Sequence, residues 1–207
     1  MLITVSRQYG AGGSLVARTV ADALGWTVVD NELIDQVARR AGLSPDEVAD
    51  REERVPSFVE RLARTLVAQP VEVMVPATPL TELDEAGLVR LTEVVVSEIA
   101  AQGRVVLVGR AAVAVLARVP EAMHVKLVAP VPARVQVVMN RMTLDRKEAE
   151  KAVHDVDARR LRYHQEYYGR DWEDPAGYHM VLNTAALGFD GAAELIVKRA
   201  ERLGWKD

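Results

Sequence analysis

The strongest constraint on this chain lies at its beginning, where a short apolar segment runs straight into glycines and then into a helix. Leu2 to Ser6 is apolar and rich in β-branched residues, the pattern of a buried strand. Arg7-Gln8-Tyr9-Gly10-Ala11-Gly12-Gly13-Ser14 follows as a tight loop. Val16, Ala17, Val20, Ala21 and Leu24 then recur at helical spacing, and Gly25 supplies the stop. A second strand, Trp26 to Val29, ends at Asp30. Strand, glycine loop, helix, strand is how a parallel α/β sheet begins.

The rest of the chain extends this pattern. From Asn31 to about Ala101 it reads as mostly helical. Ser44-Pro45-Asp46-Glu47 is a capped helix start. An irregular stretch from Gln69 to Pro79 holds three prolines. A long helix from Thr81 to Ala101 buries Leu88, Leu91, Val95 and Ile99 and stops at Gly103. Alternation then resumes. Strands are expected at Val105–Val108, Met123–Val128 and Met180–Leu182, the last ending in Asn183-Thr184. Helices are expected at Ala111–Ala117, Val131–Met142, the charged stretch Leu144–Tyr168, and Gly191–Leu203. The expected fold class is α/β, a parallel sheet with helices on both faces and two mostly helical insertions.

Composition narrows the function classes. With 26 basic and 30 acidic residues the formal charge is −4, which argues against a coat for a nucleic acid polymer or an anionic membrane. The absence of cysteine excludes disulfides, thiolate catalysis and cysteine-held zinc or iron–sulfur centres. Four histidines, none at ligand spacing, argue against a histidine-rich metal site. The chain starts without a basic-then-apolar leader and has no apolar run of about 18 residues, so a soluble cytoplasmic protein is expected.

A glycine turn between strand and helix aims several backbone N–H groups one way, at the positive end of the helix dipole, which suits phosphate. On the template G-x-x-x-x-G-K-[ST], Arg7 falls at the first glycine, Gly12 at the second, Gly13 at the lysine and Ser14 at the magnesium-binding hydroxyl. Gly10, Ala11, Gly12, Gly13 and Ser14 are thus candidate phosphate-binding residues, with Ser14 the candidate metal ligand. Arg7 is the candidate replacement for the lysine charge. The competing reading is a turn needed only for tight strand–helix packing.

Ile3-Thr4-Val5-Ser6-Arg7-Gln8-Tyr9-Gly10-Ala11-Gly12-Gly13, then Val108-Gly109-Arg110, Asp171-Trp172 and Leu182-Asn183-Thr184, resemble the cytidylate kinase-like family, a branch of the P-loop nucleoside monophosphate kinases. The resemblance spans nearly the whole chain in order. It implies a five-stranded parallel core (1–30, 103–140, 177–207), a monophosphate-binding insertion (31–102) and an arginine-bearing lid (141–176). It also implies transfer of the γ-phosphoryl of ATP, with Mg2+, to a nucleoside monophosphate, most closely a cytidylate. Asp30 falls where the acceptor-binding segment begins, and Arg110 where the family places its Gly-Arg pair on the acceptor phosphate. Three positions depart from the cytidylate kinases: Gly13 for lysine, and Val108 and Ala111 for the acidic residues flanking Gly109-Arg110.

Phosphoryl transfer calls for alignment and positive charge more than covalent help, and arginine supplies both. Arg110 follows an apolar strand and a glycine, so it should emerge at the carboxyl edge of the sheet, where ligands bind in open α/β folds. Arg141 and Arg160 match the family's lid arginines, while Arg134, Arg159 and Arg162 read as ordinary charges of solvated helices. Arg39, with Arg40, is a weaker acceptor-side candidate. Asn183, with Thr184, ends the last strand near the glycine loop; its amide either reads a purine edge or caps the next turn. Tyr9 either leans on the nucleotide or pins the loop, and Trp172 anchors the lid's return. His124 and His154 read as structural. Besides a nucleotide kinase, two functions compete: a nucleotide sensor or pseudo-kinase, and a kinase of a small molecule that is not a nucleotide. Nucleotides are the expected partners, and assembly into a homodimer is left open.

Overall fold

The computed structural model describes residues 1–30, 89, 93, 96–97, 99–109 and 111–205. Contacts in space separate Met1–Val28 with Arg104–Asp207 from Val29–Gly103. Arg39, Arg40, Arg110 and the helix start at Ser44 lie outside the described residues, as do Leu88, Leu91 and Val95. Within the second unit Ile99 is buried as expected, and so are Val89 and Val96.

Five strands form one sheet: β1 (Leu2–Arg7), β2 (Thr27–Asp30), β3 (Val105–Val108), β4 (Ala122–Val128) and β5 (Met180–Asn183), in the order β2-β3-β1-β4-β5. β1 runs parallel to both β3 and β4, and β4 parallel to β5. The helices are α1 (Gly13–Leu24), α2 (Ala112–Val115), α3 (Val131–Met142), α4 (Arg146–Tyr168) and α5 (Thr184–Arg202).

Strand periodicity gives the two faces of the sheet different chemistry. Ile3, Val5, Val106, Val108, Val125, Leu127 and Leu182 lie on one face with the apolar side of α1 and the alanines and Ile196 of α5. Val16, Ala17, Val20, Ala21 and Leu24 are the buried stripe of α1, as their spacing predicts. The α1 helix stops at Gly25 in the left-handed region (φ 67), with the Gly25 and Trp26 N–H groups returning to Asp22 and Ala21.

The opposite face of β1 and β4 is polar though buried: Thr4 pairs with His124 in register and Ser6 with Lys126. Each side chain there finds a partner, as burial demands, though His124 does so through Nδ1 alone and its Nε2 is buried without a hydrogen bond. Thr4 Oγ1 and His124 Nδ1 are 2.8 Å apart. Lys126 Nζ donates to the Trp172 carbonyl (2.5 Å), pairs with Glu173 (3.1 Å) and lies 4.2 Å from the centre of the Trp172 ring.

Two boundaries differ from expectation for local reasons. The charged helix starts at Arg146 because Asp145 caps it: its side chain accepts from Glu148 N–H, and Glu148 accepts from Asp145 N–H. The last helix reaches back to Thr184 because Asn183 caps it, and it bends at Gly188, whose φ of 71 and ψ of 167 are not helical.

Candidate active site

The loop after β1 is shaped by what happens to its carbonyl groups. The Arg7 carbonyl accepts from Arg160 Nη1 (2.7 Å). The Gln8 carbonyl accepts from Ala11 N–H (3.1 Å). The Tyr9 carbonyl accepts from Arg134 Nη1 (3.1 Å), and the Ala11 carbonyl from Thr184 Oγ1 (3.1 Å). The carbonyls of Arg7, Tyr9 and Ala11 are thus held by side chains from outside the loop, while that of Gln8 closes the turn itself. The loop is also pinned to β4 through Gln8, whose N–H donates to Leu127 O and whose Oε1 accepts from Ala129 N–H.

The N–H groups that follow have a different fate. Gly12 is the left-handed N-cap of α1 (φ 78) and offers no side-chain cap, so the first turn carries its amides toward whatever sits before it. No acidic residue occupies that turn. Carbonyls turned inward and uncapped amides at a positive helix end are the two conditions for an anion cradle.

Glycine is needed here for space as well as conformation. At Gly10 (φ 82) a Cβ would lie 2.6 Å from the Arg134 carbonyl oxygen, and at Gly12 it would run into the Phe189 ring. At Gly13 a Cβ would lie 2.5 Å from Arg7 Cγ, and at Gly109 (φ 79) it would meet the Arg7 guanidinium. The Arg7 side chain therefore lies across Gly13 and ends against Gly109. The Gly13 position that departs from the lysine template is thus occupied by the stem of Arg7.

The other predicted site residues fall as follows. Ser14, half-buried, opens α1 next to Gly13. Asn183 Oδ1 accepts from Ala185 and Ala186 N–H, so of its two readings the carbonyl end of the amide serves as a cap. Thr184 is buried and braces the loop. Arg160 lies on α4 at the loop, its guanidinium 5.9 Å from the Tyr9 ring centre, whereas Arg141 is exposed in the last turn of α3. Tyr9 packs on the α3–α4 cluster of Val135, Val138, Ala149 and Val153. The backbone of Asp30 ends β2. Val108 and Ala111, on either side of Gly109-Arg110, are both buried.

Sequence reasoning read Arg134 as an ordinary charge of a solvated helix and gave Asp157 no role, and the structure corrects both. Asp157 Oδ1 accepts from Tyr9 N–H (2.8 Å), and its Oδ2 pairs with Arg134 Nη1 (2.6 Å). Arg134 is 5% exposed and also donates through Nε to Ala129 O (2.8 Å). Apolar periodicity cannot find such a pair on charged helices. The available signal was the three-residue interval from Asp157 to Arg160, which puts both on one helix face.

His164, equally invisible in the sequence, lines a small cleft at the ends of β1 and β3 together with Thr4, Ser6, Gly109, Ala111 and Val113. Burial lowers its pKa to about 4, helped by the charges of Arg170, Lys126 and Arg160, so the imidazole is neutral near pH 7. Burial likewise pushes the Lys126 ammonium below its usual range, against the opposing pull of Glu173.

Magnesium is the metal the loop pattern implies. Among the described residues no three histidine or carboxylate side chains gather as a metal cage. The Ser14 hydroxyl is the donor at the loop, and it fits an ion held mainly by nucleotide phosphate oxygens and water.

Comparison with known proteins bears on the same region. Residues 2–186 match the sequence model of the cytidylate kinase-like family. No curated protein matches the chain in sequence. An uncharacterized protein from Eubacterium ventriosum ATCC 27560 shares the fold, with 20% identity, TM-score 0.64, and 97% of this chain and 98% of that chain covered. A shikimate kinase from Bacteroides thetaiotaomicron superposes with 17% identity, TM-score 0.52, and 98% and 97% of the two chains covered. At such identities the likeness concerns fold alone. No described helix is long and apolar enough to cross a membrane.

Proposed function

The chain belongs to the cytidylate kinase-like family, and we propose that it transfers the γ-phosphoryl group of ATP to a nucleoside monophosphate, with cytidylate the first acceptor to test. The observation that carries this reading is the loop itself: the carbonyls of Arg7, Tyr9 and Ala11 are tied to side chains outside it, that of Gln8 closes the turn, and the amides of Gly12, Gly13 and Ser14 are left for the β- and γ-phosphates. Arg7 brings cationic charge over Gly13, where the flexible ammonium of a P-loop lysine would otherwise reach.

In the reaction an oxygen of the acceptor phosphate forms a bond to Pγ as the bond from Pγ to the β,γ-bridging oxygen breaks, and ADP leaves. The transition state needs alignment and charge at the equatorial oxygens. Arg7 supplies charge at the loop, Arg160 at its rim and Arg141 from α3. Arg110, with Asp30 and Arg39, serves the acceptor. Asn183 and Thr184 hold the α5 side of the donor site in place. When bound through Ser14, Mg2+ supplies charge neutralisation at the phosphates.

The buried, uncharged side chains of Val108 and Ala111 favour a second reading, a nucleotide sensor with little turnover, because no carboxylate stands at either position beside Gly109-Arg110. A coupled assay with ATP, Mg2+ and a panel of monophosphates separates the two. Turnover with a pyrimidine monophosphate, impaired in Arg110→Ala through acceptor affinity, supports the kinase. ATP binding without turnover on any acceptor supports the sensor. Turnover confined to a sugar or other metabolite points to a small-molecule kinase on the same core.

A further inference from the structure

We propose that Asp157 is a positioning residue that sets the orientation of the phosphate loop from the neighbouring helix α4; this rests on reading that loop as a triphosphate site. Both of its oxygens are committed, one to Tyr9 N–H and one to Arg134. Arg134 in turn donates to the Tyr9 carbonyl. The backbone of Tyr9 is thus gripped on both sides, its N–H by a carboxylate and its C=O by that carboxylate's own guanidinium partner. Arg160, one helical turn along and 3.7 Å from Asp157 Oδ1, holds the preceding Arg7 carbonyl.

This grip lies directly upstream of the turn that exposes the amides. Gly10 follows Tyr9 at φ 82, pressed so close to the Arg134 carbonyl that no side chain fits. One residue further on, Thr184 fixes the Ala11 carbonyl. With the peptides before and after Gly10 both held, the direction of the Gly12, Gly13 and Ser14 amides is set before any anion arrives. Pre-set donors need no reorganisation on binding, which is the advantage of a rigid anion site. A carboxylate suits the position because it accepts from a backbone N–H while neutralising a guanidinium that is itself buried. The same pairing keeps Arg134 bound to Asp157 rather than to an incoming phosphate.

The test uses the full chain, hydrogen exchange without ligand, and calorimetric titration with tripolyphosphate. In Asp157→Ala the hydrogen-bonded amides of Tyr9 and Ala11 should exchange roughly tenfold faster while those of Val16–Leu24 keep their protection, and tripolyphosphate should bind roughly tenfold more weakly. Asp157→Asn retains an acceptor for Tyr9 N–H and should recover most of both losses. Where the lone charge of Arg134 prevents Asp157→Ala from folding, the pair Asp157→Ala/Arg134→Met removes both charges, and its loop should still exchange fast. Wild-type protection of Tyr9 and Ala11 in Asp157→Ala or in the double variant overturns the proposal, as does faster exchange spread equally through α3, α4 and the sheet. Wild-type protein that binds neither tripolyphosphate nor ATP, with the exchange pattern as expected, would remove the nucleotide reading and leave the positioning role standing.

Discussion

The stem of Arg7 crosses Gly13 so closely that a Cβ on the glycine would lie 2.5 Å from Arg7 Cγ. The two positions are therefore in steric exchange: a long side chain fits at one or the other. Arg7→Ala should reduce ATP affinity and turnover, by roughly 100-fold in rate if the arginine acts as a transition-state donor. Gly13→Lys alone should be no faster than wild type, because the new side chain displaces Arg7. Arg7→Ala/Gly13→Lys should recover part of the loss. Steady-state kinetics on the three variants checks this, and a Gly13→Lys enzyme faster than wild type would refute the exchange.

Thr184→Val keeps the side-chain shape and removes the donor to the Ala11 carbonyl. Leaving that buried acceptor unpaired should cost about 1–3 kcal/mol of stability and weaken ATP binding in parallel. Thr184→Ser should restore both. Denaturant titration and calorimetry give the two numbers, and ATP affinity that ignores the valine would separate Thr184 from the loop.

Two histidines make stability depend on pH in one direction. Burial, foremost, lowers the pKa of both His124 and His164 from 6.5 to about 4; the charges of His179 and Arg170 add to this at His124, those of Arg170, Lys126 and Arg160 at His164. The unfolded chain therefore binds protons that the folded chain refuses. Their contribution is fully present above about pH 6.5 and is lost as pH falls toward 4, at about 1.4 kcal/mol per histidine per pH unit within that window. Urea midpoints measured between pH 7.5 and 4.5 should fall accordingly. His164→Gln should flatten the slope, and an unchanged slope would contradict this burial.

Gly25 and Gly188 separate conformational cost from steric cost, since a Cβ at either meets nothing within 4 Å. Gly25 lies in the left-handed region (φ 67, ψ 33), which other residues enter at about 1–2 kcal/mol. Gly188, at φ 71 and ψ 167, lies in a region essentially restricted to glycine, at about 1–3 kcal/mol. Gly188→Ala should therefore lower the melting temperature more than Gly25→Ala, with shifts of roughly 2–4 °C per kcal/mol for a chain of this size. The reverse order would mean that the bend in α5 relaxes.

Much of the fold was legible because its signals are local. The opening strand, the buried stripe of α1 and the stop at Gly25 follow from periodicity and glycine chemistry, and β3 and α3 have the bounds expected. The five-stranded parallel sheet came from resemblance and its order β2-β3-β1-β4-β5 only from the structure, since pairing across long intervals leaves no local trace. The site divides in the same way. The glycine loop was visible as a pattern. Its support was not, because Asp157 and Tyr9 are 148 residues apart and an acid on a charged helix looks like any other. His124 and Lys126 alternate with apolar residues in β4, which suggests a solvated face; here that face is covered by Trp172 and Tyr178. Asn183 offered two equal readings until the start of α5 supplied acceptor-seeking amides.

The Trp172 indole has an optical consequence. It is 1% exposed, hydrogen-bonded through Nε1 to Ser6 Oγ at 2.8 Å, stacked on the His164 imidazole at 6.4 Å and overlain by an ammonium. Ser6 is the residue before Arg7, so this chromophore is coupled to the strand end from which the loop departs. The other two tryptophans, Trp26 and Trp205, stack on each other at 6.0 Å. A change in emission from Trp172 on adding nucleotide would thus report on the strand end without dye or label.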